Sequence, residues 1–259
     1  IASKVIECVR KYNIEVCIPF SGDLKKKINT VMKEVAKLDK ERGWYYEEDE
    51  DQIVSGPPLL NPSTQGLSLS TEINGYFRYT TKISKSVCPK DNWENDKMIR
   101  KAVEYICTNE KKKVKEALSL NRIRVFCLQG NGCRYATAFP ISVVIWILKR
   151  ESLIKGRKIK YVDPCAGWGD RLLGAMLSGV CESYTGIDPW KKSNTVCNQI
   201  LNKFQDENSP SIELIMKSAT EFEWPECDLV FTSPPYGTLE CYGYDQEDVH
   251  IVLEPSDLE

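Results

Sequence analysis

Alternating strand and helix patterns between Lys158 and Ser233 constrain the fold more than any other feature of this chain. Four short apolar segments rich in β-branched residues predict strands, and helical patterns stand between the first three. Such alternation is typical of a parallel sheet with helices on both faces, so we predict an α/β domain. The predicted strands are IKYVD, SYTGID, IELIMKS and CDLVFTS, and the predicted helices between them are GDRLLGAMLSG and WKKSNTVCNQILNKF.

The chain before this alternation has a different pattern. Apolar residues at helical spacing predict an amphipathic helix over residues 23–42, and one or two charged helices over 95–118. We predict a short strand, IRVFCL, ahead of the turn QGNG. A buried helix is expected over residues 139–150, with Pro140 in its first turn.

Charge also separates the two parts of the chain. Residues 1–125 carry a charge balance of +5 and residues 126–259 carry −7, which together give the net charge of −2. A basic region is what a module that binds a polyanion shows, although solvated helix faces explain the same charges. We therefore predict a mainly helical α+β accessory region over 1–125, which binds nucleic acid through the Lys25–Lys27 and Lys111–Lys113 clusters. A Rossmann-like catalytic domain follows over 126–259.

Cysteine spacing and hydropathy argue against several classes of protein. The eleven cysteines include no C-x-x-C pair and the chain has one histidine, His250, whereas a tetrahedral zinc site normally takes its ligands in closely spaced pairs. We expect no metal site, and reduced thiols in an intracellular protein of the cytoplasm or nucleus. No apolar stretch reaches the ~20 residues that a membrane helix needs, so no membrane partner is expected.

The first predicted strand ends in a loop that contains glycines, Asp163-Pro164-Cys165-Ala166-Gly167-Trp168-Gly169. Glycine allows the backbone to turn sharply and to approach a ligand where a strand meets a helix. Asp188 ends the second strand, where an acidic side chain can accept hydrogen bonds from ribose hydroxyls. The same arrangement binds nicotinamide dinucleotides, so an oxidoreductase is one alternative.

The fourth predicted strand ends in Thr232-Ser233-Pro234-Pro235-Tyr236-Gly237. Two consecutive prolines fix the backbone and remove two N–H donors, which leaves carbonyl oxygens as acceptors. The Ser233 hydroxyl can accept as well. Such a site can take both hydrogens of an amino group while a planar ring stacks on Tyr236. Hydride transfer does not need this set, so the segment disfavours the oxidoreductase.

These motifs resemble those of S-adenosylmethionine-dependent amino-methyltransferases. DPCAGWG resembles their cofactor motif DPFxGxG, and TSPPYG resembles their catalytic motif [DNS]-P-P-[YFW]. Ala138-Phe139-Pro140 is similar to their Phe-Pro motif, and the order of the three motifs is that of the group in which the cofactor motif precedes the catalytic one. Together with GIDPW, the loop is most similar to the DNA methyltransferase-like proteins of phages and large DNA viruses. The resemblance covers about residues 134–240.

The resemblance implies transfer of a methyl group from S-adenosylmethionine to an exocyclic amino group of a DNA base. Serine before the two prolines is commoner among cytosine-N4 enzymes than among adenine-N6 enzymes, so cytosine N4 is favoured. The implied target site consists of Ser233, Pro234, Pro235 and Tyr236. The implied cofactor residues are Phe139, Pro140, Asp163, Cys165, Ala166, Gly167, Gly169, Asp188, Pro189, Ser218 and Ala219, with Pro189 or Trp190 beside the adenine.

The expected mechanism is direct transfer without a covalent intermediate. Hydrogen bonds from the target amine to the Ser233 hydroxyl and the Pro234 carbonyl would localise the nitrogen lone pair. A base in a duplex would be flipped out and stacked on Tyr236. Two alternatives stay open: the same chemistry on an RNA base or a protein glutamine, and a non-catalytic methyltransferase fold that binds nucleic acid.

The family's sheet has about seven strands, and three of them follow the catalytic motif. Only 23 residues follow Tyr236 in this chain, too few for three strands of ~5–6 residues and their helices. We therefore expect that the chain is incomplete, that a second chain completes the sheet, or that residues 1–120 do so.

Overall fold

The structure is a computed structural model of the 259-residue chain. It describes residues 1–17, 20, 22–42, 67–83, 86–109, 119–129 and 132–235. The described residues form two compact units. The helical unit takes the described parts of Ile1–Pro19 and Gly75–Thr137, together with Pro235, and the sheet unit takes those of Phe20–Asn74 and Ala138–Pro234.

The helical unit is built around one apolar core. Val9, Ile99, Val103 and Ile123 each expose 1% or less of their surface and belong to this core. One isolated parallel bridge joins Val87 to Cys133. The described helices of the helical unit are α1 (Ala2–Lys11), the second half of α3 (Leu67–Thr80), α4 (Pro89–Glu94), α5 (Asp96–Asn109) and α6 (Leu120–Gln129).

The strand predicted from IRVFCL is wrong, because these residues belong to helix α6. Ile123 and Cys127 are buried, whereas Val125 between them exposes 49% of its surface. Burial at positions i and i+4 is the helical repeat. The alternation of Ile123, Arg124 and Val125 resembled a strand because a short apolar segment fits both periods.

The sheet unit contains four parallel strands in the order β3-β2-β1-β4, which confirms the α/β Rossmann-like prediction. The direction of the strand order reverses between β1 and β4, the point at which open α/β sheets bind ligands. Its elements are α2 (Leu24–Arg42), the first half of α3, α7 (Ile141–Lys155), β1 (Ile159–Asp163), α8 (Asp170–Ser178), β2 (Cys181–Ile187), α9 (Lys191–Phe204), β3 (Ser211–Ile215), a 3-10 turn (Ala219–Glu221) and β4 (Leu229–Val230).

Strand β4 is only two residues long, and side chains anchor it to β1. Leu229 pairs with Tyr161, and Val230 pairs with Val162. Before the strand, the Asp228 carboxylate accepts two hydrogen bonds from the Arg157 guanidinium, at 2.5 and 2.7 Å. It also accepts one from the Lys160 backbone N–H at 2.9 Å.

Helix α2 confirms the amphipathic helix predicted over residues 23–42, and it packs against α7. Val31 and Val35 are buried on it. The division between the two units therefore differs from the predicted boundary between residues 125 and 126. The reason is that α2 and the first half of α3 pack with the sheet although they precede it by about a hundred residues.

Every strand of the sheet within the described ranges comes from residues 159–230. The described part of residues 1–120 thus adds no strand to it. None of the helices in the described part of the chain is long and apolar enough to cross a membrane.

Candidate functional site

Residues 163–169, the glycine loop, begin at the last residue of β1. The backbone of the loop forms hydrogen bonds with β2, with Asp188 and with α9. The Ala166 N–H donates to the Ile187 carbonyl at 2.9 Å. The Gly167 N–H donates to Asp188 Oδ2 at 2.8 Å, and the Gly167 carbonyl accepts from the Ser193 hydroxyl at 2.5 Å. The predicted cofactor residues of the loop therefore lie next to Asp188.

The backbone conformation favours glycine at both glycines of this loop, and a close contact with α9 requires it at Gly169 as well. Both have left-handed backbones, with φ of +56° at Gly167 and +78° at Gly169. A Cβ atom at Gly169 would lie 2.4 Å from Ile200 Cδ1 on α9, whereas at Gly167 the nearest atom would be the Cys165 carbonyl oxygen at 3.6 Å. At Gly169, the absence of a side chain therefore allows the close approach of helix α9.

Asp188 follows β2 and is half-buried. Its Oδ1 accepts from the Trp190 N–H at 3.0 Å, and its Oδ2 accepts from Gly167. Burial raises the pKa of this carboxyl above its usual value, although the two backbone N–H donors act in the opposite direction. A carboxylate has about four acceptor positions, so Asp188 retains capacity for further donors.

Aromatic side chains stand beside Asp188. Trp168 and Trp190 pack edge to face, with ring centroids 5.0 Å apart. Trp190 and Pro189 are half-buried, so each keeps part of its surface accessible. A carboxylate with spare acceptor positions beside such rings fits the ribose and the base of a nucleoside cofactor.

Asp163 was predicted to line the cofactor, and the structure shows how its carboxylate is held. Its side chain is fully buried, and it forms an ion pair with Arg171, with Nε 2.9 Å from Oδ2. The Tyr184 hydroxyl donates to Oδ2 at 2.9 Å, and the Thr232 hydroxyl donates to Oδ1 at 2.7 Å. Asp163 thus supports the glycine loop from within the protein.

The predicted catalytic segment, residues 232–237, begins two residues after the end of β4 and is described as far as Pro235. The Cys165 N–H of the glycine loop donates to the Thr232 hydroxyl oxygen at 3.1 Å. Ser233 is half-buried and Pro234 is exposed, while Pro235 is half-buried at the end of the described chain. Tyr236 lies outside the described residues.

The Phe-Pro motif contacts the glycine loop through residues that the sequence did not indicate. The Phe139 N–H donates to Asp170 Oδ2 at 2.8 Å, and Pro140 caps helix α7. The buried Asn74 amide donates to Asp170 Oδ1 at 2.7 Å and to the Trp168 carbonyl at 3.0 Å. Asp170 could have been suspected from its place in the first turn of a predicted helix, but Asn74, on distant α3, had no local signal.

Ser218 and Ala219 follow β3, on the same edge of the sheet as Asp188, because the strands are parallel. The Ser218 hydroxyl accepts from the Thr220 N–H at 3.3 Å and so begins the 3-10 turn. Both residues are half-buried. The structure places them by this edge without assigning them a ligand.

The cysteine of the glycine loop is a poor nucleophile. Burial raises the pKa of the Cys165 thiol to about 11, so the thiol is protonated at neutral pH. The ten described cysteines are all free. A covalent mechanism through Cys165 is therefore disfavoured.

No protein-family model matches the chain, and no curated protein matches it. Among solved structures, it is similar to a candidate RNA methyltransferase from Pyrococcus horikoshii, with 22% identity and a TM-score of 0.32. The match covers 39% of this chain and 46% of the other, so the chain spans less than half of that protein's length.

Proposed function

We propose that this chain is an S-adenosylmethionine-dependent methyltransferase that modifies an exocyclic amino group of a DNA base, with cytosine N4 favoured over adenine N6. One observation carries the proposal. The glycine loop and the Ser233-Pro234 segment follow the carboxyl ends of neighbouring strands, at the point where the strand order reverses, and a hydrogen bond joins the loop to Thr232, the residue before Ser233. A methyl donor and its acceptor must meet at such a place.

S-adenosylmethionine, when bound, supplies an electrophilic methyl group on a sulfonium sulfur. In this proposal Asp188 accepts hydrogen bonds from the ribose hydroxyls, and Pro189 and Trp190 contact the adenine. The backbone of the glycine loop, with Phe139 and Pro140 near it, lines the rest of the cofactor.

The catalytic segment orients the target amine. The Ser233 hydroxyl and the Pro234 carbonyl accept its two hydrogens, which draws the nitrogen towards tetrahedral geometry and localises its lone pair. Pro234 is exposed, so a base flipped out of a duplex could reach it. No strong general base is required, because the amine proton becomes acidic once the nitrogen is methylated.

Nucleic-acid binding is proposed for the basic residues of α2. Lys25 and Lys26 are exposed. Lys27 forms an ion pair with Glu72, with Nζ 2.5 Å from Oε2, which leaves it less available to phosphate. Lys111–Lys113 lie outside the described residues. Lys25 and Lys26, which belong to the sheet unit, are therefore the proposed phosphate contacts on this helix.

Calorimetry with S-adenosylhomocysteine tests the cofactor site. Asp188→Ala should weaken binding roughly 10- to 150-fold, since a hydrogen bond to a charged group is worth about 1.5–3 kcal/mol. Asp206→Ala, which removes an exposed carboxylate from the turn after α9, serves as the control and should bind normally. Equal affinity of the Asp188 variant would remove Asp188 from the site, and binding of a nicotinamide dinucleotide instead would overturn the proposal.

Transfer of a radiolabelled methyl group to DNA, RNA and protein tests the substrate. Label on the amino group of a DNA base is expected, and Tyr236→Ala should lose transfer while it keeps S-adenosylhomocysteine binding. Label on RNA or on glutamine would show the same chemistry on another substrate. Cofactor binding without any transfer would favour the non-catalytic alternative.

A further inference from the structure

The Thr232 hydroxyl links the glycine loop to the segment that contains Ser233. It donates its proton to Asp163 Oδ1 at 2.7 Å and accepts the Cys165 N–H at 3.1 Å. A hydroxyl has one proton to donate, and here that proton is directed at a carboxylate. The residue after it is Ser233, the proposed acceptor for the target amine.

The partners of Thr232 are themselves fixed. Asp163 is fully buried and is held by Arg171 and Tyr184, two side chains that do not belong to the catalytic segment. The Arg171 guanidinium also donates to the Cys165 carbonyl. Both peptide groups of Cys165 therefore connect to the same buried cluster, one through Thr232 and the other through Arg171.

We propose that Thr232 is a positioning residue that sets the distance between the glycine loop and the catalytic segment. The inference rests on the proposed methyl transfer and deepens it. Without the hydroxyl, the Cys165 N–H and Asp163 Oδ1 each lose a partner. The nearest contacts that remain before Ser233 are those of the Phe231 backbone, whose N–H donates to the Val162 carbonyl at 3.2 Å and whose carbonyl accepts from the Tyr161 hydroxyl at 2.8 Å. A shift of about 1 Å between reacting groups can cost about 100-fold in rate.

The test compares three variants of the full chain. Thr232→Val has nearly the same shape but no hydroxyl, and Thr232→Ser keeps the hydroxyl. Tyr184→Phe is the matched control, since it removes another hydrogen bond to the same carboxylate without touching the catalytic segment. Circular dichroism and thermal melting show whether each variant folds, and Thr232→Ala replaces the valine variant if that one does not.

The first measurement is S-adenosylhomocysteine binding by calorimetry, and the second is kcat for methyl transfer to the substrate labelled by the wild type. For Thr232→Val we expect about tenfold weaker binding and a kcat lower by 10- to 100-fold, with Thr232→Ser within about twofold of wild type in both. Tyr184→Phe should lose thermal stability but keep both values.

Wild-type binding and kcat in Thr232→Val would overturn the inference alone, and so would equal losses in Tyr184→Phe and Thr232→Val. A wild-type chain that binds no S-adenosylhomocysteine overturns the proposed function, and this inference with it. Because the serine variant keeps the hydroxyl, a loss in Thr232→Ser as large as in Thr232→Val also contradicts the positioning role.

Discussion

Alanine at Gly169 should destabilise the sheet unit through two additive effects. The backbone there has φ +78°, and a left-handed conformation costs a residue with a Cβ about 1–2 kcal/mol. The new Cβ would also lie 2.4 Å from Ile200 Cδ1 and 3.4 Å from Cys197 Sγ. Overpacking of this kind costs about 1–3 kcal/mol. We therefore expect Gly169→Ala to lower the free energy of unfolding by about 2–5 kcal/mol.

Gly179 offers a matched control at the other end of the same helix, α8. Its φ is +72°, and a Cβ there would meet no atom within 4 Å. Gly179→Ala should therefore show the conformational cost alone, about 1–2 kcal/mol. Equilibrium urea unfolding of the full chain, followed by tryptophan fluorescence, measures both variants.

A second variant isolates the contact with α9. Ile200→Val removes the Cδ1 atom that the new Cβ would meet, so the double variant Gly169→Ala/Ile200→Val should lose less free energy than the two single changes added together. A coupling of about 0.5–3 kcal/mol is typical of residues in contact. Equal destabilisation by Gly169→Ala and Gly179→Ala, with no coupling to Ile200, would refute the close approach of α9.

Three further predictions concern charge. Because burial raises the pKa of Asp188, affinity for S-adenosylhomocysteine should fall with acidification at a higher pH than for an ordinary aspartate, and Asp188→Asn should abolish this dependence in calorimetric titrations. Arg157 lowers the pKa of Asp228 to about 2, so the stability from this pair is complete above pH ~4 and is lost as the pH falls towards 2. Acid unfolding of Asp228→Asn should lack that loss. Replacing Lys25 and Lys26 with glutamine should reduce the salt slope of DNA binding by up to about 0.9 per lost contact, whereas an unchanged slope assigns them to solvation.

The sequence predicted the sheet unit well because its signals are local. β-branched runs, a glycine after α8 and a helical face with Val196 and Ile200 each identify an element from a few neighbouring residues. The same pattern predicted that Asp188 and Ser233 lie at one edge of the sheet, because the carboxyl ends of parallel strands lie together.

Contacts between distant segments could not be predicted in this way. Asn74 is joined to Asp170 across 96 positions, and no periodicity encodes such a pair. The place of α2 in the sheet unit could not be predicted for the same reason, because it depends on packing against the distant helix α7. The motif that contains Asp163 likewise gives no sign of the Arg171 and Tyr184 side chains that hold its carboxylate.

The anchors of β4 also decide which way its residues face. Successive side chains of a strand point to opposite faces, so a slip of one residue would exchange Leu229 and Val230 between the two faces of the sheet and shift the residues that follow them. A ladder of two residue pairs specifies register weakly, but a slipped strand would have to leave both the Asp228–Arg157 pair before it and the Thr232–Asp163 bond after it. These two contacts therefore fix the register of the short strand from both ends, and the position of Ser233 is set when the chain folds.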